Sequence, residues 1–357
     1  MADVHISDHI LYNILARLPQ KSLLRFQCVS KQWNHLIKDP YLMKLRSNIR
    51  RMILFSHGRR LLTTDDTTNS VVEVSSFFGP VDILGTFNGI VLLLVNNTFI
   101  DQYYVHHRLI LYNPVTRVSK ILPDSPSPAV LDNWSHYTFG FGYDTTTDDL
   151  KIVRFRSEYY YIHDKCDVFS FKKNSWENIL HTNIQEIQFR LRSMGKYLNG
   201  FLYWTGYSKL DDKLAIVALN VKDMVLTKIN LPNQFSNDYT PLGTIDGCLH
   251  MIDERVDHMG FNVWVMKEQG VENSWMIRWS FPLSVEGNYS TVLVPICILD
   301  SGKILFMNCF RQLIIIYCTT NASHKKLNLP EELDVLNSCW KRDGIECVES
   351  LVSPSDL

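Results

Sequence analysis

The spacing of hydrophobic residues divides the chain into two unequal parts, of which the first is short. Over roughly the first forty residues, apolar side chains recur three and four positions apart, the spacing of amphipathic helices. Ser7, Ser22 and Ser30 precede the three apolar segments, where N-cap residues are preferred. Pro19 and Pro40 stand where two of the segments end. This pattern predicts three short helices.

A different pattern begins after residue 50, where short apolar runs alternate with turn signals. A unit of strand, polar turn and strand recurs at 109–123, 166–180, 215–232, 261–282 and 313–330. The turns of these units lie roughly fifty residues apart, the period of a kelch-type propeller blade. Between the units, tight hairpin turns are predicted at Asn88-Gly89, Asn199-Gly200, Asp246-Gly247 and Ser301-Gly302. Two hairpins per repeat make a four-stranded blade, so we predict an all-β propeller of about six blades.

Stacked β-sandwiches are the alternative, but they do not require so regular a period. In a meander, alternate connections lie on the same face. We therefore expect the short turns to share one face of the propeller and the longer connections to share the other.

Charge separates the two parts further. The whole chain has a formal net charge of -1, which predicts neither nucleic-acid nor membrane binding. Residues 1–50, by contrast, hold eight Lys and Arg residues against three Asp residues. An acidic partner is therefore expected for the helical part.

The N-terminal sequence shows no signal-peptide pattern, and no apolar run approaches the length of a membrane span. We expect a cytoplasmic or nuclear protein, or one found in both. The eight cysteines are scattered without a C-x-x-C pair, which favours reduced thiols over disulfides or a zinc site.

The sequence offers only weak evidence for catalytic residues. Three acid pairs fall in predicted turns, where Asp is favoured for local reasons: Asp65-Asp66, Asp148-Asp149 and Asp211-Asp212. The segment from His250 to His258 is typical of a strand followed by a charged loop, and not of a metal site. We predict no catalytic residue, no metal and no cofactor.

The three predicted helices carry more apolar residues than so small a module can bury. That surplus could pack against the rest of this chain, or it could dock another protein.

The motifs Ile14–Pro19, Lys21–Phe26 and Val29–Trp33 closely resemble, with their spacing, the plant form of the F-box. The resemblance implies binding to a Skp adaptor, an acidic protein, and through it to a cullin–RING ubiquitin ligase. It places the following residues on positions that contact the adaptor or hold the module together: Ile6, Leu15, Leu18, Pro19, Leu23, Leu24, Val29, Trp33 and Ile37. Ile6-Ser7 departs from the usual Leu-Pro, which could weaken adaptor binding.

The remainder resembles the F-box-associated domain of plant F-box proteins, described here as kelch-like. Fragments in the family's order include Asn113–Arg117, Gly140–Asp144, Asn199–Trp204 and Val348–Leu351. We predict an F-box over residues 1–48 and a propeller over 49–357.

Aromatic and histidine side chains cluster in the longer connections, and such amphipathic side chains suit protein recognition. Substrate contact is therefore predicted for Tyr103, Tyr104, His106, His107, Trp134, Tyr159, Tyr160 and Tyr161, with His136 and Tyr137 beside Trp134. The alternative is that these side chains continue a strand and simply pack.

The leading interpretation is a non-catalytic substrate receptor that brings a protein target to the ligase, a mechanism of proximity. The alternatives are a Skp-binding adaptor or competitor that recruits no cullin, and a propeller enzyme with a helical extension. Neither the target nor the pathway can be read from one sequence.

Overall fold

A computed structural model describes most of the chain. The described residues are 7–18, 20–39, 42, 51–64, 71–97, 106–125, 135–158, 161–180, 187–189, 194–211, 213–232, 235, 242–255, 260–282, 293–298, 303–308, 313–321, 323–328 and 344–357. Within them no helix is both long enough and apolar enough to cross a membrane.

The three predicted helices are present at the start of the described chain. They are α1 (Asp8–Ala16), α2 (Gln20–Phe26) and α3 (Lys31–Lys38). The third begins as predicted, since the Ser30 side chain accepts a hydrogen bond from the Trp33 backbone N–H at 3.1 Å. Ser7 stands at the N-cap of α1 without a side-chain bond. The predicted cap at Ser22 is wrong, because α2 begins two residues earlier and Ser22 lies inside it.

Apart from two short 3₁₀ helices, Glu272–Ser274 and Pro354–Asp356, strands make up the rest of the described regular structure. The first seven are β1 (Arg51–His57), β2 (Arg60–Thr64), β3 (Val72–Ser76), β4 (Val81–Phe87), β5 (Ile90–Asn97), β6 (His106–Tyr112) and β7 (Ser119–Ile121). The next nine are β8 (Ser135–Asp144), β9 (Asp149–Glu158), β10 (Tyr161–Ser170), β11 (Ser175–Leu180), β12 (Ile187–Phe189), β13 (Met194–Leu198), β14 (Phe201–Ser208), β15 (Leu214–Asn220) and β16 (Leu226–Asn230). The last nine are β17 (Leu242–Ile245), β18 (Cys248–Glu254), β19 (Gly260–Met266), β20 (Trp275–Pro282), β21 (Leu293–Ile298), β22 (Lys303–Asn308), β23 (Leu313–Cys318), β24 (Ser323–Asn328) and β25 (Gly344–Val348).

These strands form a propeller-like arrangement. Four separate four-stranded sheets have the orders β25-β1-β2-β3, β4-β5-β6-β7, β17-β18-β19-β20 and β21-β22-β23-β24. The remaining strands form one nine-stranded sheet with the order β11-β10-β9-β8-β13-β14-β15-β16, in which β12 also pairs with β14. The mostly β, propeller-like prediction is confirmed. The predicted count of about six four-stranded blades is not supported, because only four sheets stand as separate blades.

The nine-stranded sheet owes its continuity to two glycines. β8 and β13 pair in parallel over two positions, Met194 with Phe139 and Gly195 with Gly140. A Cβ at Gly140 would lie 2.5 Å from a ring carbon of Trp204, and one at Gly195 would lie 2.6 Å from the same ring. Because both residues lack a side chain, the two strands can approach each other over the indole.

The tight hairpin turns have the predicted backbone. Asn88, Asn199 and Asp246 all have positive φ, and a glycine with positive φ follows each of them. Two successive residues with φ above zero define the type I′ turn, which Asn-Gly and Asp-Gly pairs favour. The fourth predicted turn, Ser301-Gly302, lies outside the described residues.

The chain closes on itself at the strand level. β25 pairs antiparallel with β1, so strands from opposite ends of the propeller region share one sheet. The first strands of the four separate sheets and the two adjoining strands β8 and β13 of the nine-stranded sheet also contact one another in a closed order: β25, β4, β8, β13, β17, β21 and back to β25. Apolar side chains between neighbouring sheets form the core, for example Leu92 and Phe141 between the sheets of β5 and β8.

Candidate functional site

The three helices form a small core of their own. Its buried side chains come from all three helices and from one residue four positions beyond α3: Leu11, Leu15, Leu23, Leu36, Ile37 and Leu42. An edge-to-face contact between Phe26 and Trp33, with ring centroids 5.3 Å apart, joins α2 to α3. The side chains of α1 and α3 also meet, through a 2.7 Å hydrogen bond from Gln32 to the Asp8 carboxylate.

One side of the module packs against the propeller. Leu351, after β25, is buried in the helical core, and Val115, from the turn after β6, packs beside it. The first alternative for the surplus apolar residues is therefore correct for part of them.

Another part remains exposed. Ile10, Ile14 and Val29 expose 52%, 45% and 59% of their surface. Two arginines near them are also exposed. Arg17 directly follows α1, and Arg25 lies in α2. We call Ile10, Ile14 and Val29 the docking residues. Exposed apolar side chains flanked by positive charge fit a partner that is apolar at the contact and acidic around it.

The residues predicted to serve the adaptor divide into three groups. Leu15, Leu23 and Ile37 are buried and hold the module together. Leu18, Leu24 and Trp33 are partly buried against the same core. Val29 is exposed. Ile6 and Pro19 lie outside the described residues, so the departure at Ile6-Ser7 stays a prediction.

Ile10 and Ile14 were missing from that set, although the sequence carried a signal for them. They lie four positions apart on α1 and alternate with the buried pair Leu11 and Leu15. Two apolar stripes on one short helix indicate that only one can face the module's own core.

Most residues predicted to contact a substrate cannot be placed. Tyr103, Tyr104, Trp134, Tyr159 and Tyr160 lie outside the described residues. His106 begins β6 and Tyr161 begins β10, and nothing is described of their side chains or of His136. These assignments stay predictions.

The two predicted residues whose side chains are described both pack. His107 is half-buried in β6, where its ring nitrogen forms a hydrogen bond with the Asn96 side chain. Tyr137 is buried in β8, and the Arg154 guanidinium lies 4.8 Å from the centre of its ring. For Tyr137 and His107, the strand-packing alternative describes the structure better than a binding loop does.

Hydrogen bonds join neighbouring turns on the predicted face of short turns. Asn199 donates a hydrogen bond to the Gln269 side chain at 3.1 Å, which joins two of these turns. Lys151, beside the turn after β8, donates to the carbonyl of Val221 in the turn after β15 at 3.1 Å. The helical module lies against this face, because Val115 belongs to the short turn after β6.

A cavity of about 250 Å³ lies among the first strands of the sheets. It is lined by residues of β4, β8, β13, β17, β18, β21 and β25, including Thr86, Lys196, Thr244, His250 and Glu346. Burial, together with the charge of Lys196, lowers the pKa of His250 to about 3, so its imidazole is neutral at physiological pH. The His250 Nδ1 atom has no hydrogen-bond partner among the described residues.

The weak chemical candidates have ordinary structural roles where they are described. His250 lies in β18 as predicted, and the described residues contain no cluster of three metal-ligating side chains. Asp148 is exposed in a turn, but the predicted turn position is wrong for Asp149, which begins β9 and is buried. Its buried carboxylate accepts hydrogen bonds from Ser170 Oγ at 2.6 Å and from the Lys172 N–H at 2.9 Å.

Comparison with known proteins follows the same division of the chain. Residues 5–45 match the model of the F-box domain, and residues 45–328 match that of the F-box associated beta propeller domain. The F-box protein CPR1 of Arabidopsis thaliana is 30% identical over 307 residues, which are 74% of this chain and 70% of that protein. An F-box/kelch-repeat protein of the same plant is 26% identical over 383 residues, 98% of this chain and 95% of that protein.

Among solved structures, that of YjhT aligns with 79% of this chain and 95% of its own, at 10% identity and a TM-score of 0.46. A kelch-like character for the propeller stays a prediction, since the matching family model is that of the F-box associated domain. Because that model spans well over half of the sequence, the chain belongs to the family of F-box proteins that carry an F-box associated β propeller domain.

Proposed function

We propose that this protein is a substrate receptor of a Skp–cullin–F-box ubiquitin ligase. The helical module binds a Skp-type adaptor, and the propeller holds a target protein whose lysines then lie near the charged conjugating enzyme. No group of this chain needs to touch the reacting atoms, because holding two reactants together raises their effective concentration. We place the protein in the cytoplasm, the nucleus or both.

The exposure of the docking residues is the observation that carries this proposal. Ile10 and Ile14 lie on the α1 surface away from the buried Leu11 and Leu15, within residues matched to the F-box. Because each side chain is already about half covered, burying the remainder against a partner contributes on the order of 1 kcal/mol each. The excess of basic residues in this part of the chain favours an acidic adaptor.

A double substitution, Ile10→Asp with Ile14→Asp, tests the docking step. Both side chains are about half exposed, so the helical core should remain intact while the apolar contact is replaced by two charges. Affinity for a purified Skp-type adaptor, measured by titration calorimetry, should fall at least about tenfold, which corresponds to about 1.4 kcal/mol.

Val72→Asp is the matched control, because Val72 is 53% exposed on β3 in the propeller and receives the same chemical change. It should bind the adaptor as the wild type does. Wild-type affinity in the Ile10/Ile14 double variant would count decisively against this docking surface. Leu18 and Trp33 are less suitable positions, since both pack on the module's core.

Recruitment of a cullin separates the receptor from the adaptor or competitor that recruits none. Co-purification of the adaptor with a cullin, followed by ubiquitin transfer to captured proteins, supports the receptor. Adaptor binding without cullin would favour the competitor.

We also propose six blades, with an F-box over residues 1–48 and the propeller over 49–357. Two arguments support counting the nine-stranded sheet as two blades. Its halves, β8–β11 and β13–β16, are each antiparallel, and only the two-residue parallel pairing of β8 with β13 joins them. The closed sequence of contacts among first strands also has six members.

The face of the longer connections is our proposed target-binding surface. The helical module lies against the face of short turns, which leaves the opposite face open. Simultaneous replacement of Tyr103, Tyr104, Tyr159 and Tyr161 by alanine tests the aromatic cluster. Unchanged capture of targets by the folded variant would remove those residues from the surface.

A further inference from the structure

Three sequence fragments that the docking function does not explain meet beside the helical module. They are the Asn88-Gly89 turn, the Asn113–Arg117 turn and the segment that follows β25. The last of these runs from residue 349 to residue 357 and is called the strap. Ser350, in the strap, and Asn113, in the turn, are both fully buried.

Asn113 joins the strap to the propeller through both ends of its side-chain amide. Its Oδ1 accepts hydrogen bonds from the backbone N–H groups of Val115 at 2.8 Å and Thr116 at 3.1 Å, which closes its own turn. Its Nδ2 donates to the carbonyl oxygens of Ser350 at 3.0 Å and Val352 at 2.8 Å. The amide group is therefore shared between a local turn and a segment more than two hundred positions away.

Further contacts hold the strap along the sheet of β4 to β7. Lys120 Nζ donates to the carbonyl oxygen of Leu357 at 3.1 Å. Val352 and Leu357 pack against the apolar core between that sheet and its neighbour. Gly89 lies so close that a Cβ there would be 2.2 Å from Ser350 Cβ. This close approach is a reason for glycine at position 89 beyond the needs of its turn.

The same short segment also enters the helical module. Leu351 lies between two residues whose carbonyls Asn113 binds, and its side chain is buried among leucines of the F-box helices. Val115, in the Asn113 turn, packs against that core as well. Contact between module and propeller is thus built around one buried asparagine and one buried leucine.

We propose that the strap fixes the direction of the helical module relative to the propeller, with Asn113 and Leu351 as its positioning residues. This inference rests on the proposed receptor function for its purpose, since a receptor that transfers nothing itself acts by holding its target at a set place. A module joined only by the chain before β1 would be free to turn.

The strap can be loosened while the local turn is kept. Asn113→Asp retains the oxygen that closes the turn but removes the Nδ2 donor, and Leu351→Ser removes the apolar side chain from the module. We combine these two changes in the full-length chain. The control is Asn220→Asp with Val225→Ser, which repeats the asparagine change and replaces an aliphatic residue by serine in a more exposed turn that does not contact the strap.

The measurement is the distance distribution between two spin labels, one at His35 on α3 and one at Lys267 in the turn after β19, both exposed. Labels on non-natural amino acids leave the native cysteines in place. The wild type and the control pair should give one narrow distribution, and the strap variant should give one at least twice as broad. A wild-type width in the strap variant, or a broad distribution in the wild type, would overturn the proposal.

Two further measurements separate misfolding from loss of direction. Amides of β4 to β7 and of the three helices should keep the slow hydrogen exchange of folded strands and helices, although faster than in the wild type, and adaptor affinity should change less than about twofold. If the strap variant does not fold, Leu351→Ala alone replaces it under the same criteria.

The pattern of ubiquitin transfer provides a second measurement, which would not change if Asn113 and Leu351 only stabilised the fold. In a ligase reconstituted with adaptor and cullin–RING complex, the lysines of this chain that become modified are mapped by mass spectrometry. The strap variant should spread modification over at least twice as many lysines, whereas an unchanged pattern would contradict a positioning role. If the wild type supports no transfer, the proposed function fails, while the distance measurement still decides the strap.

Discussion

The turn after β6, residues 113–118, and the turn after β15, residues 220–225, are nearly identical in backbone and very different in their surroundings. In each, an asparagine Oδ1 accepts the N–H two positions later, from Val115 at 2.8 Å and from Lys222 at 3.0 Å. Each also has a fifth residue with positive φ, 60° at Arg117 and 59° at Met224. In each, the N–H of the first residue donates to the carbonyl of the sixth, at 2.9 Å and 3.0 Å, so these are four-residue hairpin loops with one residue in the left-handed region.

The two turns differ in the groups to which the asparagine Nδ2 donates hydrogen bonds. Asn113 Nδ2 donates to two strap carbonyls in a buried site. Asn220 Nδ2 donates at 3.2 Å to Asp223, an exposed residue of its own turn. At the third position the first turn has Val115, which packs on the helical module, and the second has the exposed Lys222. One local motif thus serves both as an ordinary hairpin and as part of an interdomain contact.

Aspartate at each asparagine, in two separate variants, should give the largest difference in the free energy of unfolding between the two turns. Asn113→Asp removes two hydrogen bonds and places a carboxylate against two buried carbonyls, so the free energy of unfolding should fall by about 3 kcal/mol. Asn220→Asp, at the surface, should cost less than about 1 kcal/mol. Urea unfolding followed by circular dichroism measures both values. Equal losses would show that the strap adds nothing to the Asn113 turn.

Alanine at the two glycines of type I′ turns should separate strap contact from backbone strain. Gly89 and Gly247 both have positive φ, 79° and 72°, so alanine costs about 1 kcal/mol at each for conformational reasons. Only at position 89 would the new Cβ meet the strap, whereas nothing lies within 4 Å of it at position 247. Gly89→Ala should therefore cost about 1–2 kcal/mol more than Gly247→Ala.

Thermal unfolding of the two alanine variants gives the comparison. Faster hydrogen exchange at the amides of residues 350 to 352 in Gly89→Ala alone would locate the added loss in the strap. Equal melting temperatures for the two variants would contradict the close contact between position 89 and the strap.

A third turn of the same type, after β8, tests the role of charge at the first position. Asp144 Oδ1 accepts the N–H of Thr146 at 2.9 Å, as Asn113 and Asn220 do for their turns. Burial raises the pKa of this carboxyl, but hydrogen bonds from Lys151 and Thr147 outweigh it and lower the pKa to about 2.

Because the folded-state pKa is lower than that of the unfolded chain, the Asp144 contribution is present above about pH 4 and is lost as the pH falls through about 2. The loss should amount to about 2 kcal/mol. Asp144→Asn should lower stability at pH 7 by a similar amount and flatten the pH dependence between pH 5 and 2. An equally steep curve for the variant, from urea midpoints, would assign the slope to other carboxyls.

Alanine substitutions at the sixth position of the two asparagine turns should have similar effects on the free energy of unfolding. Val118 and Val225 are 41% and 49% exposed, and neither forms part of the strap contact. Alanine at either site should change the free energy of unfolding by less than about 0.5 kcal/mol. A larger loss at Val118 than at Val225 would mean that the strap stabilises the whole turn and not only its first residues.

The parts of the fold that depend on neighbouring residues were predicted well. Glycine after Asn88, Asn199 and Asp246 predicted the hairpins, and apolar spacing predicted the three helices with the cap at Ser30. The number of separate sheets was not predicted correctly. The pairing of β8 with β13 depends on Trp204 and on two glycines that lie far apart in sequence.

The candidate site divides in the same way. The fragments Asn113–Arg117 and Val348–Leu351 were recognised separately, and nothing in either indicates that Asn113 would bind the carbonyl of Ser350. Tyr137 was expected in a binding connection, and the length of β8 carried it into the core instead.

The sequence by itself determined the helices, the hairpins and the family, because helix caps, glycine turns and apolar periodicity act over a few residues. The tertiary structure alone decided which apolar helix residues are covered and which remain exposed. It also decided which of two equivalent asparagines joins the module to the propeller. Both outcomes depend on packing between segments hundreds of positions apart, and the spacing of residues along the chain carries no direct record of that packing.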